Sequence, residues 1–172
     1  NVVSFASSDI DDAWAIINTQ QLAGEIDLDT DYTITLTGDG AGNAINTVAH
    51  LTRLNTIQAD AGVVTTSVIT VDADDIADAL NTTVGAHNDL ISITTGSAKA
   101  DATKLLSLTD NTKKKVNATA ITTNGVEGSE AAIKLLIAQE GTTDGTGSAG
   151  TTKVDLHADV ALIITPAMDA DT

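Results

Sequence analysis

The chain is predicted to be an α/β protein, a parallel-sheet array of about five or six strand–helix units, and three observations predict it. A Thr/Val/Ile run, an Asp, Ser or Gly cluster and an Ala/Leu-rich amphipathic segment recur in that order over 2–14, 33–51, 67–80, 91–106 and 119–136, with a truncated copy at 161–172. Apolar residues make up 42% of the 172 but aromatics only 2%, so the core is built from Ala, Val, Ile and Leu, whose modest volumes suit thin stacked layers. Finally, strands alternating with helices must run parallel, with right-handed crossovers, where they are sheet neighbours.

β-branched enrichment and partial period-two alternation place strands near 2–5, 31–37, 63–71, 89–95, 116–123 and 154–165. Helices are expected between them at 9–22, 43–55, 74–84, 100–109 and 128–139. In the last of these, Ala132, Leu135, Leu136 and Gln139 follow i, i+3, i+4, i+7 spacing and Gly141 stands just beyond as a terminator. The expected strand ends fall 24 to 41 residues apart by residue number, from Phe5 to Ile164, within the range of solenoid units but short of a strict consensus. The chain is therefore read as a single αβ repeat domain over 1–172. Residues 141–152, rich in Gly, Thr and Ser, read as a flexible loop. A first residue Asn1 rather than Met predicts a processed form or a segment of a longer chain. Pro166, suited to the first turn of a further helix, points the same way.

The net charge of −16 sets up a field that repels phosphates, so nucleic acid and anionic membranes are excluded as partners. No 18-residue apolar run is present to span a bilayer, and no basic segment precedes an apolar one as in a signal peptide. The absence of cysteine excludes disulfides, thiolate zinc sites and thiol catalysis. Acid is carried by twenty Asp against four Glu, and Asp favours turns and helix N-caps. A charge of this size also suits a calcium-rich or salty exterior.

Three acidic clusters are candidate Ca²⁺ ligands. Asp27, Asp29 and Asp31 alternate along an extended segment, which places three carboxylates on one face about 6–7 Å apart. Hard cations take such oxygens together with carbonyls and water, whereas an exposed acidic face needs no ion. Asp9 and Asp11, with Asp12, and Asp72 and Asp74, with Asp75, sit at strand-to-helix corners. Capping and the helix dipole account for them there, and a metal clamp between repeats is the functional alternative.

Gly38-Asp39-Gly40-Ala41-Gly42-Asn43 stands where a dinucleotide fingerprint would, but Asn43 replaces its third glycine and the other corners use the same Asp/Ser/Gly chemistry. His50, His87 and His157 have no metal spacing, and no nucleophile elbow is present, so the chain is read as not an enzyme. Lys113-Lys114-Lys115, the only basic run, reads as a solvated turn or an edge-strand guard. Asn81 and Asn117 open glycosylation sequons of a kind that chance supplies in so Asn- and Thr-rich a chain.

The Thr/Val strand, Asp/Ala corner and AxxLL-type helix, with few aromatics, no cysteine and Asp far above Glu, resemble the strand–helix repeat arrays of very large bacterial secreted and cell-surface proteins. These are the surface-layer, hemolysin-type and adhesin-like chains. The resemblance implies an extracellular scaffold and assigns no residue a role. The GGxGxD nonapeptide of calcium-binding toxin repeats is absent. The expectation is a non-catalytic structural unit of a surface layer, fibre or adhesin stalk that self-associates with copies of itself or with neighbouring repeats. The alternative is a calcium-dependent or glycan-binding module that takes a surface polysaccharide on the sheet edge or loops, against which stands the aromatic count, since sugars usually stack on Trp or Tyr and only Trp14, Tyr32 and Phe5 exist.

Overall fold

The computed structural model describes residues 2–21, 23–24, 28–41, 43–69, 72–80, 89–141 and 153–166, and within these it leaves out the side chains of 2–8, 20–21, 28–31, 60 and 69. The fold is mixed α/β with parallel sheets. Six strands form the larger sheet: β1 (Val2–Ser8), β2 (Leu28–Leu36), β3 (Val63–Ile69), β4 (Leu90–Thr94), β6 (Val116–Ala118) and β8 (Val154–Leu156). Each strand pairs in parallel with the next in chain order, so the sheet grows along one direction. A smaller parallel sheet holds β5 (Ala100–Asp101), β7 (Val126–Gly128) and β9 (Leu162–Ile164), again in chain order.

Alternation decides the two faces of the larger sheet. Ile34, Leu36, Val64, Val68, Ile91, Ile93, Val116, Ala118, Val154 and Leu156 point inward and are buried. Thr33, Thr35, Thr65, Ser67, Ser92, Thr94 and Asn117 occupy the intervening positions, partly or fully exposed. The helices α1 (Ile10–Ala15, continued by a π-helical turn at Ile16–Gln21), α2 (Val48–Asp60), α3 (Ala73–Ala79), α4 (Ala102–Leu108) and α5 (Glu130–Gln139) supply the other half of the core. Each helix packs against its neighbours in chain order. Ile10, Leu51, Leu54, Ile57, Ile76, Leu105 and Leu136 fill the space between the layers, and Tyr32 is fully buried among them. One side of the larger sheet is thus covered by helices, and the opposite, hydroxyl-bearing side is open.

Several elements differ from the sequence expectation, among them the strand expected over 116–123, which ends at Ala118. Helix α2 begins at Val48 rather than near 43 because Asp39 closes 39–43 into a loop: its carboxylate accepts the backbone N–H groups of Ala41 and Asn43, each at 3.0 Å, and the Asn43 side-chain amide at 3.2 Å. The run 154–165 is two strands in two sheets, separated by a turn in which Val160 N–H donates to the His157 carbonyl at 3.0 Å. Strands β5 and β7, of two and three residues, precede α4 and α5 and are too short to show a period. The expected loop at 141–152 falls, beyond Gly141, outside the described residues.

Candidate functional site

The acidic corners come first, because they carry the predicted ligands. Asp9 caps α1, its carboxylate accepting the N–H groups of Asp11 and Asp12 at 3.0 and 2.9 Å. Asp72 caps α3 through Asp74 N–H at 2.8 Å, and Asp101 caps α4 through Thr103 and Lys104. Asp74 reaches across to the next corner and accepts Asp101 N–H at 3.0 Å, so one carboxylate ties two successive units together. Asp11 forms an ion pair with Arg53, with His50 Nε2 at 3.6 Å, which joins α1 to α2. Among the described residues no three His, Asp or Glu side chains stand close enough to hold one metal ion. Asp27 lies outside the described residues, as do the side chains of Asp29 and Asp31 in β2.

The aromatic sugar platforms are mostly spent on structure. Tyr32 is wholly buried. One face of Trp14 is covered by the Arg53 guanidinium, 5.1 Å from the ring centre. The side chain of Phe5 is not described. Of the histidines, His157 Nδ1 accepts Asp159 N–H at 3.0 Å within its turn, and His87 lies outside the described residues.

Among the described residues, two recesses stand open to an outside partner. One is a recess of about 310 Å³ on the hydroxyl side of the larger sheet, lined by Thr35, Thr65, Ser67, Asn43 and Lys114 among others. One wall is formed by Gly38, Asn43 and Ala44, with Asn43 tied back to the Asp39 carboxylate. Backbone N–H donation from Asn43, with the Asn43 side chain second, holds the Asp39 carboxyl below its ordinary value of 3.8. A depressed pKa of this kind stabilises the closed loop above the unfolded-state value, and the contribution is lost as pH falls through the folded value. Acidification below the usual carboxylate range is therefore expected to release the Ala41 and Asn43 amides before the core melts. Their hydrogen exchange, followed by NMR between pH 6 and 2.5, checks this; protection unchanged at the lowest pH contradicts it.

The second place is the end of the molecule marked by α5 and β9. Register places Leu162 and Ile164 in line with the buried Val126 and Gly128 of β7, on the core side of the smaller sheet. Yet they are 38% and 56% exposed. On α5, Gln139 faces α4 through Thr109 at 3.4 Å. Helical geometry then turns Ile137 toward the side away from α4, where it is 50% exposed. A groove of about 550 Å³ runs between Glu130, Lys134, Ile164 and Pro166 on this same end.

No family model, no curated protein and no solved structure matches this chain. No helix among the described residues is long and apolar enough to cross a membrane.

Proposed function

We propose that the chain is a non-catalytic structural unit of an extracellular assembly, an open αβ solenoid segment whose end joins the beginning of the next copy. The observation that carries this reading is the apolar row Ala100–Val126–Leu162 of the smaller sheet, which is buried at its first two members and left 38% exposed at the last. Strand β9 pairs with β7 on one side and, among the described residues, with no strand on the other. A parallel sheet that grows in chain order offers its last edge to a strand of the first kind, which makes the junction head-to-tail, and the product is an open array wherever the rotation between copies does not close a ring.

Magnitudes indicate how such a joint behaves. Finishing the burial of Ile137, Leu162, Ile163 and Ile164, each already partly covered, contributes roughly 1 kcal/mol apiece. That gross gain is about the size of the lower estimates for the cost of bringing two molecules together. Free copies therefore associate weakly, whereas copies held in tandem or on a surface associate well. The extracellular setting rests on the charge of −16 and the Thr/Asp-rich surface. Calcium enters as the ion that relieves this charge on association.

Sedimentation velocity from micromolar to millimolar protein, in calcium and then in chelator, tests the reading. Growth of larger species with concentration, stronger in calcium, is expected. A single monomer at every concentration in both solutions contradicts it.

A further inference from the structure

The recess on the open sheet face has a chemistry of its own. Thr35 and Thr65 are register partners on β2 and β3, and Ser67 and Ser92 are partners on β3 and β4. Thr65 and Ser67 stand two residues apart and so share one face, and neighbouring strands lie about 4.8 Å apart. A patch of hydroxyls on three strands results, with Asn43 at its rim. Lys114 reaches over it and donates from Nζ to Ser92 Oγ at 3.0 Å.

Lys114 is exceptional among the cations of this acidic chain. Arg53, Lys99, Lys104, Lys115, Lys134 and Lys153 each stand within ion-pair distance of a carboxylate. Lys113 and Lys114 do not, among the described residues, and Lys113 is an exposed turn residue. Lys114 is half-buried, with a neutral hydroxyl as its hydrogen-bond partner. An ammonium lodged among hydroxyls, with no carboxylate within ion-pair distance among the described residues, presents spare donors to an anion.

We propose that this recess binds a single carboxylated sugar unit, its carboxylate on Lys114 and its ring hydroxyls on Thr35, Thr65, Ser67 and Asn43. The volume lies at the lower end of the range for small-molecule sites, about 300–1,000 Å³, which suits one ring rather than a chain. With no aromatic platform in the recess, affinity is weak for an isolated unit and becomes useful through repetition along an assembly.

Amide shifts in ¹⁵N-labelled protein, recorded at low protein concentration, test the site independently of self-association. Methyl β-glucuronide is expected to shift Thr35, Thr65, Ser67 and Ser92 saturably, about tenfold more tightly than methyl β-glucoside, which lacks the carboxylate. Lys114→Gln is expected to abolish that preference while the remaining amides stay in place. Thr65→Val keeps the charge and is expected to weaken both sugars several-fold. Acetate that shifts the same amides as strongly as the glucuronide, equal binding of the two sugars, or no shift at these four residues overturns the proposal.

Discussion

Replacing Asp89 by alanine is expected to lower stability by roughly 3 kcal/mol, because a buried donor stripped of its acceptor costs about 1–3 kcal/mol and here two are stripped. Asp89 is 2% exposed just before β4. Its carboxylate accepts Val64 N–H at 2.6 Å and the Gln58 side-chain amide at 2.8 Å, which ties the start of β3 and the last turn of α2 to the next strand. Its carbonyl accepts Lys113 N–H at 2.8 Å, which extends the link to the turn before β6. For a chain of this size the loss corresponds to a melting temperature lower by about 6–12 °C. Asp89→Asn keeps an acceptor for Val64 but turns a donor toward Gln58, and about half the effect is expected. Thermal denaturation followed by circular dichroism measures both. Equal melting of Asp89→Ala and the unsubstituted protein would show that the carboxylate does not fasten three units together.

Gly38→Ala is expected to be the most damaging single change outside the core, at about 3 kcal/mol or more. Gly38 sits at φ +116°, and a Cβ there would lie 1.9 Å from the Asn43 carbonyl oxygen, so the loop must open to admit it. Opening it also pulls away the Gly38 carbonyl that accepts Ile10 N–H at 2.9 Å, the contact that seats the loop on the first corner. Gly24 provides the control. It also has positive φ, at +73°, but a Cβ there meets nothing within 4 Å. Gly24→Ala is expected to cost only about 1 kcal/mol, the price of the left-handed conformation alone. A matching loss in the two variants, read from urea unfolding, would mean that the loop wall gives way freely.

Much of the architecture was legible because the strands alternate and the helices carry their own caps. Thr33-Ile34-Thr35-Leu36 and Ile91-Ser92-Ile93-Thr94 declare one apolar and one hydroxyl face, and the structure uses them so. Ser129 and Gln139 bracket α5 almost where its amphipathic stripe begins and ends. What escaped was decided by contacts distant in sequence. The smaller sheet joins segments of two or three residues, whose pairing arises only once the units stack. Asp9 and Asp72 read correctly as corner residues. The reach of Asp74 to the backbone of Asp101, 27 residues on, has no local signal. Lys114 was hidden in a run of three lysines; only its reach to Ser92 on β4, 22 residues back, separates it from Lys115, which sits beside Asp155 at 3.6 Å. The exposure of Leu162 and Ile164 was equally invisible, since an apolar strand looks the same whether its last neighbour is present or not.

The most direct test of the end-to-end joint is hydrogen exchange read by mass spectrometry at low and high protein concentration, with Ile137→Glu/Ile164→Glu as the comparison. The account predicts added protection at high concentration in Leu162–Ile164, the last strand of the smaller sheet, and in Val2–Ser8, the first strand of the larger one, and none in the double variant. Exchange at both strands that ignores concentration, or protection gained equally by the variant, would contradict it.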